Sequence, residues 1–181
     1  MNTEEVKTLK ENGFIGFKTI RELKNSCKSV PLKRGVYIVL RPNDMQKDFI
    51  EEGTGGHFKH KNPNVTIQEL ESNWVDGTQI LYIGKAGSTT STATLQSRLE
   101  QYMKFGSGKA VGHWGGRLIW QLKDSDNLVV CWKITEKDQK SNESEEQPDE
   151  IEKEPRDVEK EMIEQFKEQH DDRRPFANLA D

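Results

Sequence analysis

The chain has 181 residues, 32% of them apolar and 32% charged, with two cysteines and a formal net charge of −4 at pH 7; its mean hydropathy is −0.89. That length suits one domain with a core of its own, and the small apolar share leaves part of it as solvated tail or loop. No run of about 18 apolar residues occurs, the acidic start "MNTEEVKTLKENGF" lacks an apolar signal region, and Cys27 and Cys131 stand too far apart for a metal clip or disulfide framework. A soluble, cytoplasmic protein in a reducing setting is the expectation.

In chain order, "EEVKTLKENGF" and "FKTIRELKNS" predict two short helices separated by Gly13 and Gly16, because Phe17, Ile20 and Leu23 recur at helical spacing. Residues 1–30 therefore read as a helical extension. "GVYIVLR", residues 35–41, lies between Pro31 and Pro42 and predicts the first strand. Residues 42–79 form a long insertion: the loop "EEGTGGHFKHKNPN", then a short helix in "TIQELESNW", where Thr66 and Glu69 have capping-box spacing. "QILYIG" predicts the second strand, stopping near Gly84. A Gly, Ser and Thr loop then leads into a helix with Leu95, Leu99, Tyr102 and Met103 on one stripe, ended by Gly106. "LIWQL" and "LVVCWKI" predict two further strands, the acidic stretch 136–157 a disordered segment, and residues 158–169 a last helix before "RRPFANLAD".

The negative total hides an asymmetry. Between Tyr82 and Lys123 stand Lys85, Arg98, Lys104, Lys109, Arg117 and Lys123 against Glu100, whereas acids dominate from Glu136 to Asp172. The overall sign is set by a segment that need not touch a ligand.

Several residues could carry chemistry. In the last helix Met162, Ile163 and Phe166 make the apolar stripe, and stepping back by three and four residues reaches Glu159, which therefore points inward. A carboxylate there needs a hydrogen bond, a counter-ion or a metal, unless it snorkels to water from the helix edge. Arg98 lies three residues after Leu95 and four before Tyr102, where its fork suits a phosphate; a surface arginine packed along Tyr102 fits the same spacing. Tyr37 and Tyr82 sit within apolar strand runs, where a half-buried tyrosine is ordinary. "GSGKA", residues 106–110, is no P-loop, since Met103 stands at the earlier glycine position and Ala110 at the metal-binding hydroxyl. His57 and His60 in "GHFKH" have no Cys or acid at ligand spacing and read as a solvated loop.

The order of these signals carries more than any one of them. "GVY" at 35–37, "YIG" at 82–84 followed by Lys85, then Leu95, Arg98 and Tyr102, Glu159 before "MI", and "PFAN" closing at Asn178 together resemble the GIY-YIG nuclease family. The resemblance implies an α+β fold with a small, mostly antiparallel sheet flanked by helices, spanning residues 31–181 with the 42–79 insertion and the acidic 136–157 segment. It implies cleavage of phosphodiesters with one divalent cation, Mg2+ or Mn2+, and DNA as the partner. By position it gives Tyr37 and Tyr82 the roles of the two tripeptide tyrosines, Tyr82 as general base or activator of the nucleophile. It makes Lys85 the lysine that follows the second tripeptide, Arg98 the phosphate-holding arginine and Tyr102 the aromatic residue one turn later. Glu159 becomes the metal carboxylate and Asn178 the C-terminal asparagine, and His113 in "GHWGGR" is the candidate for a histidine some members use. Two features depart from the pattern: a long insertion replaces the short turn between the tripeptides, and the loop before Arg98 is long.

The implied chemistry is coherent. Hydrolysis needs an activated water, positive charge on the phosphate and an exit for the leaving oxygen. A phenol titrates near about 10, so Tyr82 could act as a base only if Lys85, Arg98 and a metal lowered it. The competing expectations are a catalytically inactive nucleic-acid-binding module with the same fold, and a protein-interaction domain working through its acidic segment.

Overall fold

The computed structural model describes residues 4–43, 45–135 and 153–179. Its elements run α1 (Glu4–Glu11), β1 (Ile15–Thr19), α2 (Ile20–Asn25), β2 (Gly35–Leu40), α3 (Ile67–Asn73), β3 (Ile80–Ala86), α4 (Leu95–Phe105), β4 (Val129–Ile134) and α5 (Pro155–Gln169), with 3-10 turns at Arg117–Gln121 and Ser125–Asn127. The fold is α+β, and the four strands pair antiparallel throughout in the order β1-β4-β2-β3. No helix among the described residues is long and apolar enough to cross a membrane.

The unbroken apolar run of β2 has a simple cause: every residue of "GVYIVL" is buried, because the strand lies between two others and is covered on both faces. On one face Tyr37, Val39 and Tyr82 pack with Leu95, Leu99 and Tyr102 of α4. On the other, Val36, Ile38 and Ile83 pack with Ile163 of α5 and with Val6 and Leu9 of α1. Helix α4 starts at Thr94, whose hydroxyl accepts from the Ser97 N–H while Ser97 reaches back to the Thr94 N–H. It buries Leu95, Leu99, Tyr102, Met103 and Phe105, each worth about 1.5–3 kcal/mol on burial. Cys27 and Cys131 are free and buried.

Three expectations need correction. Residues 15–19 form β1 rather than the start of a helix. Gly13 and Gly16 take φ of +83° and +95°, Phe17 takes +47°, and β4 offers a free edge that pairs Ile15 with Trp132 and Lys18 with Val130. The extension at 1–30 is thus a helix, a sheet strand and a second helix. "LIWQL" is a 3-10 turn rather than a strand, entered from Gly116 at φ +72° and buried from Leu118 to Gln121. An apolar run enclosed on every side has no solvent face to impose a period of two. Finally, α5 begins at Pro155, a residue suited to a first helical turn, so it starts within the segment expected to be disordered; residues 136–152 of that segment lie outside the described residues.

The insertion is held by Gln121. Its amide donates to the carbonyls of Ile50, Glu51 and Val65 at 2.9–3.1 Å and accepts from the Val65 N–H at 2.8 Å. The C-terminal segment closes over it, with Phe49, Trp74 and Phe176 packing ring against ring at centroid distances of 5.2–5.7 Å.

Candidate active site

The register of β2 and β3 builds the centre of the site: Tyr37 stands opposite Gly84, and Val39 opposite Tyr82. Alternation puts both phenols on the face toward α4. Their centroids are 5.9 Å apart, edge to face, and Tyr102 completes a triad at 6.3 Å from Tyr37 and 5.9 Å from Tyr82. Gly84 is required by this arrangement, since a Cβ there would stand 2.6 Å from Tyr37 Cζ and 2.9 Å from Tyr82 Cε1.

A glycine pair roofs the triad. The Tyr102 hydroxyl donates to the Gly116 carbonyl at 2.8 Å, and a Cβ on Gly115 would lie 2.6 Å from the Tyr82 hydroxyl. From the same loop His113 stacks on Tyr102 at 4.4 Å, with Nε2 3.4 Å from the Tyr37 hydroxyl and Nδ1 buried without a partner.

The charged groups gather at the β3 edge. Strand β3 runs on to Ala86 instead of stopping at Gly84, so Tyr82 lies within the strand and Lys85 projects on the α5 side. There Lys85 pairs with Glu159, which is 16% exposed against 40% for the lysine. The inward direction read for Glu159 therefore has its counter-ion. Arg98 is half-buried; its guanidinium donates to the Gln101 side-chain carbonyl at 3.4 Å and also acts on the Tyr37 hydroxyl, and no described carboxylate pairs with it. Asn178 acts as a one-residue strand, accepting from the Ile83 N–H and donating to the Ile83 carbonyl at 2.8 Å each, while the Ala177 N–H donates to the Leu81 carbonyl.

Burial dominates the electrostatics of the tyrosine centre in the free protein. Burial pushes Tyr37 up to about 12 and outweighs the opposing pull of the Arg98 charge, the Tyr82 hydroxyl and the Arg98 hydrogen bond; Glu159 adds to the rise. Tyr82 and Tyr102 are raised well above the ordinary phenol, again mainly by burial. The Arg98 charge pulls Tyr82 down but is outweighed by burial: at 7% exposure the phenolate of the free protein is poorly hydrated. Burial, helped by Arg98, holds His113 well below the ordinary imidazole and so neutral. Arg98 opposes the rise of both Tyr37 and Tyr82, and Glu159 adds to it.

Among the described residues no group of three or more His, Cys, Asp and Glu is arranged for a metal. A lone, part-exposed carboxylate fits a hard, water-rich Mg2+ or Mn2+ that takes its remaining ligands from water and phosphate, and does not fit a zinc cage. His57 and His60 are exposed, as expected of a solvated loop. Sequence reasoning missed the Gly115–Gly116 roof and the Gln101 partner of Arg98; the glycine doublet directly after His113 and Trp114 was the available signal. Comparison of the chain with protein-family models, with curated proteins and with solved structures finds no match.

Proposed function

We propose that this chain is a metal-dependent endonuclease of the GIY-YIG type, hydrolysing phosphodiester bonds in DNA. One observation carries the reading: tyrosines of two neighbouring strands meet edge to face beneath α4, the charge of the α4 arginine reaches both phenols, and the lysine after "YIG" pairs with the α5 glutamate on the other face of the same strand.

Arg98 is the phosphate ligand, a half-buried fork with no carboxylate among the described residues to neutralise it. Glu159 would hold the divalent cation, whose charge, when bound, would stabilise the phosphate and acidify a water. Lys85 neutralises Glu159 in the free protein and adds a second cation beside the phosphate path. With its proton held by burial, Tyr82 orients the attacking water as a hydrogen-bond partner rather than removing its proton. His113, Tyr102 and Asn178 position the phenols and the strand that carries them.

The burial of Tyr37 and Tyr102 at 0% exposure favours a second reading, a nucleic-acid-binding module that keeps the fold without catalysis. Nicking of supercoiled plasmid in Mg2+ separates the two. Glu159→Ala and Tyr82→Phe should each slow nicking by about 10²-fold or more. Undiminished cutting by Glu159→Ala would remove the metal assignment, and salt-sensitive binding without any cutting would establish the second reading.

A further inference from the structure

The turn at residues 58–61 is built against its own backbone. The Lys61 N–H donates to the Phe58 carbonyl at 3.0 Å and the two residues bridge as a hairpin, with Lys59 and His60 at the centre at φ +50° and +61°. Two consecutive left-handed residues make the turn that Asn-Gly or Gly-Gly forms without strain. Lysine and histidine are held there instead, and such strain concentrates where side chains have work to do.

The tip is exposed and cationic. His57, Lys59, His60 and Lys61 all face solvent, as does Lys109 of the neighbouring loop, and none of these three lysines forms an ion pair with a described residue. Lys59 lies over the Phe58 ring, with Nζ 5.5 Å from the centroid. The turn is also fastened to the site. The Gly56 N–H donates to the Phe105 carbonyl at the end of α4, and a Cβ on Gly112 would touch the Phe58 ring at 3.5 Å. The next residue, His113, is the one that stacks on Tyr102.

We infer that this turn is a clamp for the DNA phosphate backbone beside the cleavage site, with Lys59, Lys61 and Lys109 supplying the charge. The inference rests on the nuclease reading for its substrate and assigns the 42–79 insertion a task. The clamp reads no bases: short amines at a turn tip neutralise phosphates and release counterions, so their contribution depends on salt rather than on sequence.

The strain makes a clean test possible. Lys59→Gly/His60→Gly removes the side chains while relieving both left-handed positions, so Tm should hold or rise. Binding of a fluorescein-labelled, mixed-sequence duplex is measured by anisotropy in Ca2+ across a salt series, alongside plasmid nicking in Mg2+. Losing one phosphate contact should weaken binding about 8-fold at 0.1 M salt and flatten the slope of log K against log salt by about 0.9; Lys61→Ala should add a similar loss. Wild-type affinity and slope in the glycine variant would overturn the clamp even where nicking proceeds, and so would an absence of duplex binding by wild type. A flattened slope in a protein that never nicks would uphold the clamp while removing the nuclease reading.

Discussion

Gly84→Ala tests the geometry of the tyrosine centre most directly. A methyl at that position would lie 2.6 Å from Tyr37 Cζ, 2.7 Å from its hydroxyl and 2.9 Å from Tyr82 Cε1. Ordinary contact begins near 3.4 Å, so the Tyr37 ring must retreat by about 0.8 Å. It has no room to do so, being 0% exposed and walled by Tyr82, Tyr102 and His113. The backbone of Gly84 is not left-handed, so an alanine costs nothing there by conformation. The penalty is overpacking alone, about 2 to 3 kcal/mol, or roughly 5 to 10 °C in Tm for a chain of this size. Urea denaturation gives the free energy. A cycle with Tyr37→Leu then isolates the cause, because the smaller side chain removes the ring that the methyl strikes. The cycle should return a favourable coupling of about 1 kcal/mol or more. Melting of Gly84→Ala at the wild-type temperature, or a cycle with no coupling, would refute the argument that this glycine exists to admit the Tyr37 ring.

Two further outcomes follow from the same contacts. Asn178→Ala removes both hydrogen bonds to Ile83 and should cost about 1 to 3 kcal/mol, with faster exchange of the Ile83 amide measured by NMR. His113 is buried neutral, so its folded pKa lies below the unfolded value near 6.5 and the unfolded state binds the extra proton first. Stability should therefore fall as pH drops below about 6.5, by up to about 1.4 kcal/mol per unit, and His113→Gln should flatten that slope in denaturant titrations between pH 7 and 5.

The sequence displayed the residues whose neighbours are local. The alternating and apolar runs of β2 and β3, the capped stripe of α4 and the inward side of α5 at Glu159 follow from side-chain periodicity, which needs no knowledge of the rest of the chain. β1 was hidden because its pairing depends on β4, more than a hundred positions later, and because Phe17, Ile20 and Leu23 imitate a helix. The raised phenols were hidden for a related reason. Charge can be counted along a chain, but the desolvation that outweighs it depends on the Gly115–Gly116 roof, a tertiary feature.

The layout also governs how this protein acquires its site. Each strand next to β2 arrives only after a long excursion, and the last clamp on β3 comes from Asn178. Closing such distant pairings is entropically slow, which predicts a sluggish folder by the standards of its size. No early local intermediate can hold the phenols, the guanidinium and the carboxylate together, so competence should switch on in a single late step rather than grow by degrees.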